Sequence, residues 1–298
     1  MDEIWSRKIQ GIINLDSSRE FRFRDDRKEL FLSLLGLKDG MVIADIGCGP
    51  GTITRKLAQW LSKDTRVIGI DRDRHFIQFA KRKAEEMEMA NLQYLLGDGL
   101  DLPLEDDSVD ASLSHTVIEH VPHREFLLEQ KRICKKGGRV SVMYTLPKLK
   151  LQSSPEKEIH PTEEEKEGLS RLFNKEDHIL EEYKVGKYWP DPAKLPALFH
   201  ELGFQDIQID AVAMPFVIDD SRYSLEEKIA MAQVEGNSLL ENIEMAIQSG
   251  NDQLDASEVK ELKRRIRERM DQRIQRIRRE EFIWDYRISV MEIVSGRV

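Results

Sequence analysis

The chain has 298 residues, of which 40% are hydrophobic and 34% are charged, and its formal net charge is −9 at pH 7. This length and composition are typical of a globular protein with a full-sized core. The negative charge argues against a dedicated nucleic-acid binder. No apolar run reaches the roughly 20 residues that a membrane-spanning helix needs, so we expect no membrane span.

The N-terminus and the two cysteines indicate a cytoplasmic protein. The first eight residues lack the apolar core and the small-residue cleavage site of a signal peptide. Cys48 and Cys134 lie far apart in the sequence and form neither a disulfide framework nor a metal-binding motif. We therefore expect a reducing compartment and no metal.

Residues 1–30 are predicted to form an N-terminal covering segment. Arginines and aromatic residues alternate in its second half, over residues 19–24. Two interpretations stay open: a covering helix followed by a solvated turn, or a segment that folds over the ligand and lends Arg22 or Arg24 to an acidic substrate. The segment begins with apolar residues at roughly helical spacing, namely Trp5, Ile9, Ile12 and Ile13.

Residues 31–146 are predicted to form a cofactor-binding core, because short apolar runs alternate with helical patterns. Such alternation implies parallel strands joined by right-handed crossovers, and hence a doubly wound sheet. Ligands of these sheets bind outside the carboxyl ends of the strands, where Asp45, Asp71 and Asp98 all fall. The predicted strands cover residues 42–46, 66–70, 92–96, 109–114 and 139–144.

A glycine-rich loop follows the first predicted strand. Gly47, Gly49 and Gly51 occupy alternate positions before a helix that begins at about Thr52. Glycines allow a ligand to approach the backbone closely, and the helix N-terminus can hold a negatively charged or polar group. The spacing departs from the dinucleotide fingerprint G-x-G-x-x-G, because Thr52 stands where the third glycine would be.

The strand and helix alternation is interrupted after residue 146. Residues 147–190 are predicted to be a polar insertion that contributes to a cap, 191–220 to continue the core, 221–283 to form a helical insertion or cap, and 284–298 to supply the last core strand. The sequence therefore predicts an α/β fold with a doubly wound, mostly parallel seven-stranded sheet and a helical cap.

The second insertion ends in a highly charged helix, predicted over residues 257 to about 282, in which basic residues outnumber acidic ones. One interpretation is a solvated helix face stabilised by ion pairs. A nucleic-acid grip formed by residues 260–279 is a second, and a homodimer seam along the apolar stripe of the helix is a third.

Five blocks of this sequence resemble those of the class I S-adenosylmethionine-dependent methyltransferases. They are residues 42–51, 67–71, 97–110, 116–121 and 136–139, and they stand in the order and spacing of that family. The resemblance covers residues 30–144 well and the remainder only in topology. It implies a Rossmann-like methyltransferase fold, methyltransferase activity and S-adenosyl-L-methionine as the cofactor.

The resemblance also implies roles for individual residues. The three loop glycines would shape the backbone under the methionine part of the cofactor, Asp45 would sit beside its ammonium group, Asp71 would accept hydrogen bonds from the ribose, and Asp98 would read the adenine edge. Ionised carboxylates suit hydroxyl and ammonium donors. The expected cofactor-binding residues are Asp45, Gly47, Cys48, Gly49, Gly51, Asp71, Arg72, Asp98, Gly99, Ser114 and His115.

The acceptor is predicted to be a small molecule. The Asn/Asp-Pro-Pro-Tyr tetrapeptide of the amino-methylating nucleic-acid and protein enzymes is replaced here by Ser-His-Thr-Val at residues 114–117. The core looks most like quinone-biosynthesis and related metabolite methyltransferases. If a general base is needed, His115 at a strand end is the first candidate, followed by His120 and Tyr188.

Two alternatives to a small-molecule methyltransferase stay open. An RNA or protein methyltransferase could use the basic helix 260–279 as its grip. A cofactor-binding regulatory protein without turnover could use the long insertion as an interface.

Overall fold

A computed structural model describes residues 5–156, 158–173, 185–248, 250 and 252–298. Parts of the predicted segments 1–30, 147–190 and 221–283 lie outside the described residues, namely residues 1–4, 157, 174–184, 249 and 251. The strands of the described part are β1 Val42–Ile46, β2 Arg66–Asp71, β3 Leu92–Leu96, β4 Val109–His115, β5 Cys134–Gln152, β6 Gln205–Val217 and β7 Tyr286–Arg297.

These strands form one seven-stranded sheet in the order β3-β2-β1-β4-β5-β7-β6. Strands β1 to β5 pair in parallel, whereas β7 runs antiparallel to both β5 and β6. The prediction of a doubly wound, mostly parallel sheet of seven strands is confirmed. The strand order reverses between β1 and β4, and the carboxyl ends of strands at such a switch point border a ligand-binding crevice.

Helices follow the strands in the predicted alternation. Among the described residues, none of the helices is long and apolar enough to cross a membrane. The α-helices are α1 Ile12–Arg22, α2 Lys28–Leu35, α3 Thr52–Trp60, α4 Arg74–Glu86, α5 His123–Ile133, α6 Glu163–Phe173, α7 Lys194–Glu201, α8 Leu225–Gln248 and α9 Ala256–Arg278. A π-helical turn, Trp5–Ile9, and two short 3-10 helices, Asp25–Arg27 and Ile118–His120, complete the set of described helical elements.

Both faces of the sheet are covered by helices. Phe126 of α5 and Phe199 of α7 are fully buried against one face, and Phe31 of α2 and Leu57 of α3 against the other. Burial of apolar surface stabilises the folded state by about 25 cal/mol per Å². The carboxyl ends of the strands are therefore held in fixed relative positions by two well-packed layers.

Strand β5 is longer than predicted. Its second half pairs with β7, for example Lys150 with Ser289 and Leu151 with Ile288. Residues 135–138 also belong to this strand, which therefore begins before the predicted residue 139, and the register with β4 shifts beside them. The outer ends of β5 and β7 extend beneath the cap helices.

The cap is formed by α6, α8 and α9, which pack on one another through two apolar clusters. Ile266 of α9 is buried against Ile243 of α8 and Leu172 of α6 in one cluster, and Ile277 of α9 against Met231 of α8 in the other. The apolar stripe of α9 is therefore buried within its own chain, which removes the observation that suggested a dimer seam.

Candidate active site

Helix α1 lies over the crevice and is anchored on two sides. Its first turn donates two backbone N–H groups to the carboxylate of Glu241 on α8, at 3.2 and 2.9 Å. Asp16 in the middle of the helix accepts a 2.6 Å hydrogen bond from Thr52 Oγ1 and pairs with Arg55, both on α3. These anchors fix the rotation of α1, so that Arg19 points toward the crevice.

The π-helical turn before α1 closes another side of the crevice. Ser6 donates hydrogen bonds from its backbone N–H and its Oγ to Asp73, at 2.9 and 3.0 Å. Asp73 is also the N-cap of α4, so it joins the N-terminal segment to the core. The ring of Trp5 lies edge-on to that of His120, with 4.7 Å between the centroids.

A cavity of about 270 Å³ lies between this N-terminal cover and the ends of β1 to β4. We call it the cofactor cavity. The cover contributes Trp5, Leu15, Arg19 and other residues to its wall. Six of the eleven predicted cofactor-binding residues line it: Gly47, Gly49, Asp71, Arg72, Asp98 and Gly99.

Five of the predicted residues lie behind the wall of the cofactor cavity: Asp45, Cys48, Gly51, Ser114 and His115. Asp45 is 1% exposed and accepts a 2.7 Å hydrogen bond from Thr54 Oγ1. Consecutive strand residues point to opposite faces of the sheet, and both faces are covered at the end of β4. After β4 ends at His115, the next residue, Thr116, is the first of this segment to line the cavity, and its φ is +55°.

The glycine loop is constrained by packing within the protein as well as by its backbone angles. Gly47 and Gly51 have φ values of +70° and +82°. A Cβ at Gly47 would lie 2.3 Å from Val117 Cγ2, and one at Gly51 would lie 2.5 Å from Tyr94 Oη. Packing against Val117 and Tyr94 is thus enough to require glycine at positions 47 and 51. Gly49, which lines the cavity, is the loop glycine at which a ligand can approach the backbone closely.

The carboxylate of Asp71 is held by two backbone N–H groups. Its Oδ2 accepts a hydrogen bond from Gly49 and its Oδ1 accepts one from Asp73, both at 2.8 Å. Burial raises the pKa of Asp71 to about 6, so the group is mainly ionised at neutral pH. Each oxygen keeps a further lone pair, so this carboxylate can accept hydrogen bonds from a pair of neighbouring hydroxyls.

Arg19 lines the cofactor cavity, whereas the sequence pattern indicated it only as part of the range 19–24. Its side chain is 7% exposed, and its Nη2 donates a 3.2 Å hydrogen bond to Thr116 Oγ1. Its Nη1 has no hydrogen-bond partner among the described residues, and a Cβ at Gly49 would lie 3.1 Å from it. A buried donor without a partner is costly, so this nitrogen is suited to an anionic group of a ligand.

Glu119 is a second residue that the sequence analysis did not single out, although it lies in the resembling block 116–121. It lines the cofactor cavity and is 4% exposed, and its Oε2 has no hydrogen-bond partner among the described residues. Burial raises its pKa to about 7. A carboxyl group that titrates near neutral pH can accept a proton from a ligand.

The predicted general bases are less favourably placed. His115 is 3% exposed and packs edge-on against Phe23, and burial lowers its pKa well below its usual range. His120 lines the cavity, but its Nδ1 accepts a 2.9 Å hydrogen bond from the N–H of Gly186, which leaves the ring proton of the neutral form on Nε2. Tyr188 lies outside the cavity wall. The roles of these residues as bases remain predictions.

Curated proteins are similar in sequence to parts of this chain. An uncharacterized 37.1 kDa protein in a transposon of Streptomyces fradiae is 37% identical over 133 residues, which are 44% of this chain and 36% of that protein. This chain thus spans about a third of that relative. The demethylmenaquinone methyltransferase of Lactococcus lactis is 27% identical over 226 residues, which are 70% of this chain and 86% of that enzyme.

A solved structure with a TM-score above 0.5 shows the same fold. The phosphoethanolamine N-methyltransferase 2 of Haemonchus contortus, in complex with S-adenosyl-L-methionine, superposes with a TM-score of 0.53 and 17% identity, over 99% of this chain and 59% of that one. A SAM-dependent methyltransferase of Aquifex aeolicus superposes with a TM-score of 0.47 and 18% identity, over 71% of this chain and 92% of that one.

A doubly wound sheet with a glycine loop, strand-end carboxylates and a buried cation at its switch point defines an α/β protein that binds a nucleoside-containing cofactor. The sequence model of the family described as a methyltransferase domain matches residues 37–185, which are half of the chain. The chain belongs to this family: it is a class I S-adenosylmethionine-dependent methyltransferase, an enzyme with S-adenosyl-L-methionine as its cofactor.

Proposed function

We propose that this enzyme methylates a small-molecule acceptor that binds beside the cofactor. A second cavity of about 590 Å³, which we call the cap cavity, lies beneath α8 and α9. It shares Ser18 and Arg22 with the cofactor cavity, and this common wall is the observation that carries the proposal. Cavities of this size suit metabolites. The name of the Lactococcus lactis relative, demethylmenaquinone methyltransferase, supports the same class of acceptor.

In this proposal, residues of the cofactor cavity hold the cofactor. Arg19 would bind its carboxylate through Nη1, the buried nitrogen that lacks a partner among the described residues. Asp71 would accept hydrogen bonds from the ribose hydroxyls, and Asp98 with Gly99 would contact the adenine. Asp45 lies behind the wall, and its negative charge partly offsets the buried charge of Arg19.

When bound, S-adenosyl-L-methionine supplies a methyl group on a positively charged sulfur. The protein then has to position the acceptor and exclude water. The cover formed by the π-helical turn and α1 restricts access of solvent to the cavity. Glu119 would remove a proton from an acceptor that arrives protonated, because it lines the cavity and its pKa of about 7 leaves much of it ionised at neutral pH.

The ion pairs of α9 argue against the alternative of an RNA or protein methyltransferase. Much of the basic surface that suggested a phosphate grip is paired within the chain, whereas nucleic-acid binding requires cations that can reach phosphates. The pairs include Lys263 with Glu244, Arg264 with Glu261 and Glu268, Arg265 with Glu164 and Glu261, and Arg269 with Glu165.

We further propose a cytoplasmic location, which the buried free thiols of Cys48 and Cys134 support because such thiols persist in a reducing compartment. A homodimer formed through residues 221–283 stays a prediction. Its supporting observation, the apolar stripe of α9, is now accounted for by packing against α6 and α8.

The proposal is tested by calorimetry and by transfer of a radiolabelled methyl group. We expect S-adenosylhomocysteine to bind to the purified enzyme, and label from S-adenosylmethionine to enter the small-molecule fraction of a cell extract. Glu119→Gln should keep cofactor binding and lose transfer, whereas Asp71→Ala should lose cofactor binding. Label recovered only in RNA or protein would overturn the small-molecule assignment.

A further inference from the structure

Arg22 stands at the junction of the two cavities. It lies on the last turn of α1, three residues after Arg19, and it is part of the wall of both cavities. Its side chain is exposed to solvent, and it faces these two spaces. Its guanidinium forms no hydrogen bond or ion pair with the residues that the structure describes.

The charges around Arg22 leave it without compensation. The charged groups that act on its pKa are the guanidinium groups of Arg19 and Arg287, which are both positive. Burial, and to a smaller extent these two like charges, lower the pKa of Arg22 to about 10, so it is still protonated at neutral pH. This cation therefore has no carboxylate partner among the described residues, and a bound anion could pair with it.

The other arginines of the cap cavity have carboxylate partners. Glu158, a further carboxylate of this wall, lies 4.0 Å from His160. Among the described arginines of the wall, Arg22 is therefore the one without a carboxylate partner, whereas Arg273 is paired although its Nε and Nη1 form no hydrogen bond. The existing pairs are Arg269 with Glu165, Arg273 with Asp219 and Asp285, and Arg287 with Glu235.

Part of the wall of the cap cavity is apolar and can contact the apolar part of a ligand next to this cation. Phe21 and Phe216 pack edge-on with 6.0 Å between their centroids, and both line the cavity. An apolar patch beside a cation that lacks a carboxylate partner is complementary to a molecule with an apolar body and an anionic end. Further apolar side chains of the wall are Met214, Ile218, Ile266 and Met270.

We infer that the methyl acceptor is an amphipathic anion: its carboxylate or phosphate group binds Arg22 at the junction, and its apolar body occupies the cap cavity. This inference rests on the proposed function, because it assumes that the acceptor binds in the cap cavity. It divides two neighbouring arginines between two ligands, with Arg19 serving the cofactor and Arg22 the acceptor.

The test compares two fluorescent probes that have nearly the same aromatic body. Anilinonaphthalene sulfonate carries an anionic group, and phenylnaphthylamine lacks it. We expect the wild-type enzyme to bind the sulfonate at least about tenfold more tightly than the amine, since a charge-assisted hydrogen bond contributes this much. Decanoate and decyl phosphate, added as competitors, distinguish a carboxylate site from a phosphate site, while decanol should compete weakly.

Arg22→Gln should remove most of the preference for the sulfonate, and Arg22→Lys should keep part of it. Arg24→Gln is the matched control, because Arg24 is paired with Asp26 and lies outside both cavity walls. Each variant is also titrated with S-adenosylhomocysteine by calorimetry, and its fold is checked by circular dichroism.

The two titrations separate failure of this inference from failure of the proposed function. Unchanged cofactor affinity with a lost sulfonate preference in Arg22→Gln supports the inference. It is overturned if the wild type shows no preference, if Arg22→Gln retains it, or if Arg22→Gln loses cofactor binding, which would assign Arg22 to the cofactor. Absence of cofactor binding in the wild type would instead contradict the proposed function.

Discussion

Val117 lies so close to Gly47 that a Cβ on the glycine would be 2.3 Å from Val117 Cγ2. The two residues belong to the loops that follow β1 and β4, the strands on either side of the point where the strand order reverses. The glycine loop therefore packs directly on the segment that carries Glu119. A change in one loop should be transmitted to the other.

Gly47→Ala should destabilise the enzyme by about 2–4 kcal/mol. The left-handed φ of +70° would cost a non-glycine residue roughly 1 kcal/mol or more, and overpacking against Val117 would add about 1–3 kcal/mol. Urea unfolding monitored by circular dichroism measures the change. The double mutant Gly47→Ala/Val117→Ala should regain part of the stability lost in the single glycine mutant, because the truncated side chain removes the collision. Strictly additive losses would show that the two residues are not coupled.

Arg19→Gln should weaken S-adenosylhomocysteine binding by about 10- to 100-fold. The variant loses a charge-assisted hydrogen bond to the ligand carboxylate, which is worth roughly 1.5–3 kcal/mol. Calorimetric titration measures the affinity, and Arg19→Lys should retain part of it. Arg24→Gln serves as a control of the same residue type, because Arg24 is paired with Asp26 and lies outside the wall of the cofactor cavity. Equal affinities of wild type and Arg19→Gln would exclude the assigned role.

The sequence predicted the sheet well where the information is local. The apolar runs and helical periods of residues 42–115 identified β1 to β4 and the helices between them, and the strand-end acids Asp71 and Asp98 line the cavity as expected. The extension of β5 was missed because residues 147–152 begin with a proline and are exposed, although Leu149 and Leu151 alternate with lysines as strand residues do. They are held by pairing with β7 near the end of the chain, which no local pattern reveals.

The active-site residues that were missed depend on distant packing. Arg19 enters the cavity only because α1 is anchored to α3 and α8, and a single arginine in a charged helix has no distinctive local signal. The i, i+3 spacing of Arg19 and Arg22 was the one available indication that both share a helix face. His115 was favoured for its place at a strand end, but the side chain is enclosed by residues such as Phe23 from the N-terminal segment.

Asp219→Ala should destabilise the protein by about 3–5 kcal/mol, since it would leave a buried cation with less compensation. Asp219 is 4% exposed, and its Oδ2 accepts hydrogen bonds from the backbone N–H groups of Ile283 and Trp284 and contacts Arg273.

Asp220→Ala is the neighbouring control. Its partner Arg222 is more than half exposed, so the loss should be about 1 kcal/mol or less. Similar losses in both variants, measured by urea unfolding, would contradict this account.

Glu119 should make the stability of the enzyme depend on pH. Burial raises its pKa from an ordinary value of 4.5 to about 7, so the folded state binds this proton more tightly than the unfolded state. The resulting stability is complete below about pH 4.5 and is lost as the pH rises through 7. The free energy of unfolding of the wild type, relative to that of Glu119→Gln, should therefore fall by about 3 kcal/mol between roughly pH 4 and pH 8.

Methyl transfer should show the opposite trend and increase as the carboxyl group ionises, because a base must be deprotonated to act. Parallel stability curves for the two proteins would show that Glu119 ionises normally, and a pH-independent rate in the wild type would exclude it as the base.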